Sequence, residues 1–521
     1  SLVMTYATAD DEGKALRPSP FVDALRAACP NLTATVVSDP ARTRSMWDVL
    51  SASDLRRRLT MEFRSRPSAA RDQRDLRGRW NELFDSVRGS LSEEVVSRRA
   101  MASLGEREDA RISGATIERL FAGPLRTSVS QLETYAACPF QYFAKYVLRL
   151  RERVEAAVKP VDVGQVHHGI LEDFIGVLSS RGTGLDQLSD GDLLGGLRES
   201  CERVATRLPA GGVLSNARDA YLYRRSARHL ARVIQAQRRV ASSGSARPRR
   251  VELPFGFDDL GGLPALELST PAGRRVLLRG YIDRVDLAEL SGELLGVVID
   301  YKRTRDKRLD MSRVYHGLSL QLLAYLLVLA ERGETLTGRP IQPIGALYVS
   351  LASKYRLVDH PAAQEESREA ALEGSYRPRG ILLDEALEAV DQSVPAGSWS
   401  SQYNAYRTKD GGVGYLDSSD AAGWADFQNT LQHTRAKLGE LADGILDGNV
   451  AVKPYRLGNH SPCSWCPMAG VCRFEMGVSD VRFLDSLKRS EVFRRLGEGG
   501  TDELPEWVLS RARSSRTSAS S

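Results

Sequence analysis

Several features that would assign this sequence to a class at once are missing from it. No apolar run approaches the roughly eighteen residues a helix needs to cross a bilayer, so neither a membrane-spanning helix nor a membrane partner is expected. No GxxxxGK[ST] phosphate loop occurs anywhere, which excludes a nucleotide site of that kind. Cysteine is scarce: six residues in 521 cannot staple a secreted scaffold. Charge of one sign is not in large excess either. Lys and Arg number 72 against 67 Asp and Glu, and the net +5 permits a polyanionic partner without demanding one. The opening Ser-Leu-Val-Met-Thr-Tyr has no initiator Met and no basic segment ahead of an apolar run. A secretory signal is therefore not expected, a cytoplasmic chain is, and the natural N-terminus is expected further upstream.

What is present is an ordinary globular balance, 42% hydrophobic and 27% charged, in a chain long enough for two or three domains. Arginine clusters at Leu55–Arg58, Arg71–Arg79, Tyr223–Arg225 and Arg247–Arg250. Each could track phosphates, but each is more readily explained as a solvated helix face or loop. A short apolar run, Leu2–Tyr6, a turn over Asp10–Lys14 and a helix from Phe21 to Ala28 open the chain, with charge-rich helices near 47–63 and 75–103. A boundary is expected near Gly123-Pro124. Beyond it, Thr127-Ser-Val-Ser130 supplies helix caps ahead of an aromatic-rich helix, Leu132 to Leu150.

A second helix is expected over Asp162–Leu178, where Ile170, Leu171, Phe174 and Val177 recur at helical spacing. More amphipathic helix runs between about 195 and 240, and the Ser/Gly/Pro-rich Ala241–Pro248 reads as a linker. Strands follow at Val251–Phe257, Arg275–Leu287 and Leu294–Lys302, the last two forming a hairpin. An apolar helix, Leu318–Ala330, then precedes a strand at Ile344–Ser350. Residues 351–423 read as an irregular insertion, Trp424–Leu446 as a helix, and the tail from about 500 as disordered. The order helix, three strands, helix, strand predicts an α/β core.

The chemistry concentrates on that hairpin. In Gly280-Tyr-Ile-Asp283 and Val297-Val-Ile-Asp300-Tyr-Lys302, strand alternation puts Asp300 and Lys302 on one side, and the hairpin brings Asp283 near them. Two neighbouring carboxylates repel and lose solvation unless a cation lies between them, and hard oxygen ligands suit Mg²⁺ or Mn²⁺. A lysine beside them would orient water and offset charge developing on a phosphate. The alternative is a surface ion-pair ladder of Asp283, Arg284 and Asp286. Upstream, Gly164-Gln-Val-His-His168-Gly-Ile-Leu-Glu172 places His168 and Glu172 on one helix face. Gln321 and Tyr325 repeat that spacing on the helix after Lys302. Taken singly, each of these is more readily a structural side chain than a ligand.

In this order the pieces resemble the RecB-like branch of the PD-(D/E)XK nuclease superfamily: a GxxxH helix with Leu-Glu, a GxxD strand, a D-x-K strand and a QxxxY helix. The resemblance implies a restriction-endonuclease-like α/β core with helical insertions. It further implies His168, Asp283 and Asp300 as ligands of the catalytic metal, with the Tyr301 carbonyl, and Lys302 in the hydrolytic step. Glu172, Gln321 and Tyr325 would support the site. His168 rather than His167 satisfies the GxxxH spacing.

Three of the six cysteines fall in Cys463-Ser-Trp-Cys466-Pro-Met-Ala-Gly-Val-Cys472, too close together to be three packed hydrophobes. Cys138, in Ala137-Cys-Pro-Phe140, is the fourth candidate, while Cys29 and Cys201 are expected only to pack. Four thiolates suit zinc or an iron-sulfur cluster, and spacing does not separate the two. An early Cys-Pro-Phe, a RecB-like core and then C-x2-C-x5-C resemble the iron-staple arrangement of AddB-type and related CRISPR-associated nucleases. That likeness implies a [4Fe-4S] cluster with a structural duty.

The stretch Thr5–Lys14 through Leu16–Pro20 is similar to the end of the helicase-like α/β part of AddB, which belongs to the AddAB (RexAB) helicase-nucleases. The expected layout is thus a helicase-like remnant over 1–125, the nuclease with its cysteine cluster over 126–480, and a partly disordered tail over 481–521. The family implies a metal-dependent exonuclease of bacterial double-strand-break processing. It would cut the 5′-terminated strand of DNA, leave 3′ tails for recombination, and pair with an AddA-like helicase-nuclease subunit. The alternatives are a non-catalytic iron-sulfur clamp on DNA ends, a CRISPR-associated RecB-like nuclease, and a helicase motor, which the missing phosphate loop disfavours.

Overall fold

The computed structural model describes residues 110–499, apart from 152–159, 208–216, 305–306, 353–375 and 475–478, together with Tyr6, Leu16 and residues 19–29. The chain divides into two compact units, Ser1–Glu106 and Arg107–Ser521. In the first, the helix Pro20–Ala28 begins at a Ser19 cap with Pro at its first position, close to the expected bounds. Cys29 just beyond it is exposed, not packed. The remainder of the Leu2–Tyr6 strand, the Asp10–Lys14 turn, the helices near 47–63 and 75–103, the arginine runs at 55–58 and 71–79, and the tail from 500 lie outside the described residues.

The strands of the second unit are β1 (Leu125–Thr127), β2 (Arg247–Phe255), β3 (Leu266–Ser269), β4 (Arg275–Leu278), β5 (Gly280–Leu290), β6 (Glu293–Lys302), β7 (Ile341–Ser350), β8 (Arg379–Leu383), β9 (Ser398–Trp399), β10 (Tyr406–Arg407), β11 (Ala421–Ala422), β12 (Tyr455–Leu457) and β13 (Arg482–Leu484). Six of them make the central sheet, in the order β11-β8-β7-β6-β5-β2. β5 and β6 form the expected antiparallel hairpin, with Arg284 opposite Ile299. β6 then runs parallel to β7 through the crossover helix Gln321–Arg332, which packs on both strands. Every residue of that helix from Leu322 to Leu329 is buried, because the sheet lies beneath it and the helix Trp424–Leu446 lies against it. The helix Pro160–Arg181 packs on β2 and the helix Asp190–Arg207.

Four expectations need correction. The aromatic-rich segment is not one helix. It breaks into Val129–Ala137, Pro139–Tyr142 and a π-turn at Phe143–Val147, with Cys138 extended between the first two. The cause is Pro139, which disfavours helical backbone in the residue before it. The run Arg275–Leu287 is two strands in different sheets, since β4 pairs with β1 and β3 while β5 joins the central sheet. The 241–248 linker scarcely exists: the helix Ala217–Ser243 runs into it and β2 starts at Arg247. The 351–423 region, where described, supplies β8 to the central sheet against β7.

The expected boundary at Gly123-Pro124 also moves. Ile112 N donates to Gly448 O at 2.8 Å and Val450 N to Ala110 O at 2.9 Å, which ties residues 110–123 to the second unit. Likewise β13 and the helix Arg489–Gly499 fold within the region expected to be tail. Among the described residues no helix is long and apolar enough to cross a membrane.

Candidate active site

Asp283, Asp300 and Lys302 stand on the β5–β6 hairpin, and His168 reaches them from the helix Pro160–Arg181. His168 Nε2 lies 3.0 Å from the Tyr301 carbonyl oxygen. Its Nδ1 is 3.5 Å from Asp283 Oδ2 and 3.8 Å from Glu252 Oε1. Asp283 Oδ2 accepts the Tyr301 backbone N–H at 2.9 Å, so a side chain replaces a ladder bond at the point where β5 leaves β6. Lys302 Nζ meets Asp300 Oδ2 at 2.6 Å, while Asp300 Oδ1 is buried with no hydrogen-bond partner. Ligand atoms of His168, Glu252 and Asp283 all lie within 4.8 Å of one another. Asp300 stands just outside that group, held by Lys302.

The motif glycines have steric reasons. A Cβ on Gly164 would meet Arg303 Cδ at 3.1 Å, and one on Gly280 would meet the Phe255 ring at 3.1 Å. Both are closer than side chains ordinarily approach. Beneath the sheet, Arg284 makes a two-pronged pair with Asp286 at 2.6 and 2.5 Å and donates to the Tyr301 hydroxyl at 3.1 Å. This pair is buried at both ends, so it is no surface ladder, and Asp283 takes no part in it. Its place under Tyr301 fixes the strand whose carbonyl faces His168.

Electrostatics at the site follow from burying several ionisable groups close together. Burial, then the neighbouring Asp300 charge, pushes the Asp283 carboxyl up to about 7. The Asp300 carboxyl is raised by burial against the opposing pull of Lys302. Burial would lower the His168 ring, but its bond to Glu252 and the charges of Asp283, Glu252 and Asp300 outweigh it and raise the ring above its usual value. A cation bound between these acids would favour their ionised forms, against the direction in which burial pushes them.

The supporting residues divide. Gln321 Oε1 is 3.4 Å from Lys302 Nζ, and its Nε2 donates to the Tyr325 hydroxyl at 2.7 Å. Glu172 is largely exposed and outside the three-residue group; partial desolvation of its carboxyl, then the Glu252 charge, raise it. His167 turns away from the acids and packs against His229, ring centroids 5.8 Å apart. Burial lowers its ring to about 3.

Two residues escape a reading of the sequence alone. Glu252 sits in β2 between Val251, paired with Arg284, and Leu253, paired with Ile282, and so lies opposite Asp283. Its φ of +43° marks a distortion there. β2 also carries Arg247, Arg249 and Arg250, so nothing in the pattern of the strand itself marks Glu252. Glu133, on the helix Val129–Ala137, accepts the backbone N–H groups of Leu320 and Gln321 at 2.6 and 2.8 Å and so caps the crossover helix next to Lys302. Nothing in its local sequence marks it.

The four cysteines converge on a separate corner. Cys138 and Cys463 interact electrostatically, as do Cys463, Cys466 and Cys472 among themselves, and burial raises the thiols of Cys138, Cys463 and Cys466. Among the described residues no three of these sulfurs lie within 4.8 Å of one another. Arg482 ties the corner together, donating to the carbonyls of Ala136, Ala137 and Lys453. Cys201 is buried away from this group, as expected.

Comparison with known proteins bears on both regions. The family model described as the PD-(D/E)XK nuclease superfamily matches residues 126–473, which takes in the hairpin, His168 and all four clustered cysteines. The chain is also similar to bacterial proteins named as the B component of an ATP-dependent helicase/deoxyribonuclease. It is 32% identical over 507 residues to the one from Symbiobacterium thermophilum, covering 96% of this chain and 43% of that protein. It is 33% identical over 483 residues to the one from Moorella thermoacetica, covering 91% and 40%. For Geobacillus kaustophilus the identity is 30% over 505 residues, covering 96% and 43%. The chain thus spans 40–43% of the length of these curated relatives.

Proposed function

We propose a function from one established premise: the chain belongs to the PD-(D/E)XK nuclease superfamily. Its second unit is a metal-dependent deoxyribonuclease. The observation that carries this reading is the convergence of His168, Glu252, Asp283 and the Tyr301 carbonyl beside the Asp300–Lys302 pair.

These residues fit a hard divalent cation. Asp300 Oδ1 is buried without a partner. His168 Nε2 and the Tyr301 oxygen meet at 3.0 Å in a hydrogen bond that the ring would give up to become a ligand. His168, Asp283, Asp300 and the Tyr301 carbonyl would hold Mg²⁺ or Mn²⁺, with Glu252 as a further ligand or a partner of His168. When bound, the ion supplies an activated water and a Lewis acid for the phosphate. Lys302, held by Asp300 and Gln321, aims its ammonium where charge gathers on the phosphate oxygens. Glu133 sets the start of the crossover helix and hence where Gln321 meets Lys302.

By their chemistry the four thiolates suit zinc or an iron-sulfur cluster, and the likeness to the iron-staple arrangement favours a [4Fe-4S] cluster held by Cys138, Cys463, Cys466 and Cys472. Its duty is to join Cys138 to the segment after the Trp424 helix.

The likeness to the helicase/deoxyribonuclease proteins runs over 96% of the chain. That extent favours a helicase-nuclease component over a free-standing CRISPR-associated nuclease. On this reading the chain acts in the bacterial cytoplasm with an AddA-like partner on broken DNA ends, and removes the 5′-terminated strand to leave a 3′ tail. The test is to incubate the 521-residue chain with linear DNA labelled at either end, with Mg²⁺, Mn²⁺ or neither. Metal-dependent loss of the 5′-terminated strand is expected, and Asp300→Ala should abolish it while DNA binding persists. Undiminished cleavage by that variant would contradict the assignment.

A further inference from the structure

One aromatic side chain beside the acids has no part in the hydrolytic chemistry. Strand alternation puts Tyr281 on the face of β5 that carries Asp283, about 7 Å along the strand, with Ile282 fully buried on the other side. Tyr281 is 42% exposed, unusual for a large ring at the mouth of a buried acid cluster. Its ring lies against Phe257, with centroids 5.1 Å and planes 34° apart. The Arg279 guanidinium sits 5.7 Å over the Phe257 ring.

The chain is bent to make this arrangement. Gly256 has a φ of +74°, and a Cβ there would meet the Leu278 carbonyl at 2.7 Å. The end of β2 therefore turns tightly enough around β5 to bring Phe257 beside Tyr281. Arg279 is exposed and has no carboxylate partner among the described residues. A half-exposed ring thus shares a strand face with Asp283, and a cation with no carboxylate partner among the described residues flanks the Phe257 ring that backs it, on a surface where burial gains little for the fold. This combination suits a nucleotide: an aromatic face for the base and a guanidinium for its phosphate.

We propose that Tyr281, backed by Phe257 and flanked by Arg279, is the stacking platform for the base of the DNA nucleotide next to the scissile phosphate. The inference rests on the nuclease reading above and gives it a substrate preference. Stacking tolerates any sequence, because every base has a π face. It does require that face to be free, so the platform selects a single-stranded or frayed end over a closed duplex. Tyr281 is a positioning residue here, not a ligand of the metal.

The test uses the full chain and single-stranded oligonucleotides, with calcium replacing magnesium for binding and magnesium for kinetics. Tyr281→Ala should raise Kd and KM by roughly 5- to 150-fold, the range for loss of one stacked base, and Tyr281→Phe should restore them. An abasic residue moved through the terminal positions should weaken wild-type binding to the level of Tyr281→Ala at one position and leave that variant unaffected there. Equal affinity of wild type and Tyr281→Ala, or indifference of the wild type to every abasic probe, overturns the platform. Absence of metal-dependent cleavage by the unaltered chain overturns the nuclease reading instead, and the calcium binding measurement is read independently of it.

Discussion

The sheet end of this molecule and its cysteine corner are built in opposite ways. Asp283 and Asp300 sit on paired strands of a six-stranded sheet, covered by a helix buried along its length and braced from below by Arg284, Asp286 and Tyr301. Cys463 and Cys466 bound a single 3-10 turn, Cys472 ends a four-residue helix, and the strands nearest them are three residues long. Trp465 and Val471 among them are 79% and 54% exposed. The acids are held by the fold before any ion arrives. The corner has little apolar burial of its own, and its proposed cluster supplies the cohesion that a core supplies elsewhere.

The two regions still touch through one element. The helix Val129–Ala137 ends at Cys138, and one turn earlier its Glu133 caps the crossover helix at Leu320 and Gln321. Gln321 reaches Lys302. Disorder at the cysteine corner therefore has a short route to the catalytic lysine, whereas the hairpin is held without its ion by the sheet and by the buried Arg284–Asp286 pair.

The largest expected effect tests that asymmetry. Cys466→Ala should lose the iron, DNA binding and cleavage together, read by metal analysis, filter binding and nuclease assay. Retained cleavage would sever the two regions. Next, Lys302→Ala should lower kcat about 10²–10³-fold, as expected for a missing charge at a developing oxyanion, and leave iron content and Kd for DNA unchanged. A parallel loss of iron would show that the ends are not separable. Smaller again, Glu252→Gln should weaken magnesium affinity about 10- to 100-fold, the usual cost of a lost ligand partner, measured from the magnesium dependence of the rate.

The smallest effect concerns stability. The Asp283 carboxyl is raised from 3.8 to about 7, so the folded metal-free state binds this proton more tightly than the unfolded chain does. Metal-free stability should fall as pH rises through that interval. Asp283→Asn should be more stable than wild type at pH 8 by about 1–3 kcal/mol and near equal at acid pH, from denaturant midpoints. Magnesium should stabilise the wild type and not the variant. A magnesium effect on both would move the ion off Asp283.

Legibility in the sequence follows locality. The hairpin is readable because Gly280–Asp283 and Val297–Lys302 carry apolar alternation and acids within a few residues of one another. His168 can be told from His167 by its distance to Gly164, and the structure turns His168 to the acids. Glu252 and Glu133 are not readable as site residues. Each gains its role from a partner far along the chain, Asp283 and Gln321, and register across strands or packing of helices leaves no local spacing to count. The splitting of Arg275–Leu287 is hidden for a related reason: β4 and β5 are adjacent in sequence, and only their pairing partners separate them. At Cys138 the signal is local but easily outweighed, since Pro139 after it ends a helix however helical the flanks read.

Hydrogen exchange across the whole chain tests the contrast between the two ends most directly. It would be measured on protein purified without oxygen, before and after removal of its iron, each with and without magnesium. Iron removal should release protection at Cys138–Val147 and at β12 and β13, with a smaller loss at the start of the crossover helix. Withholding magnesium should leave the amides of β5 and β6 as protected as before. Protection at the cysteine corner that survives loss of the iron, or a hairpin that opens without magnesium, would contradict the account.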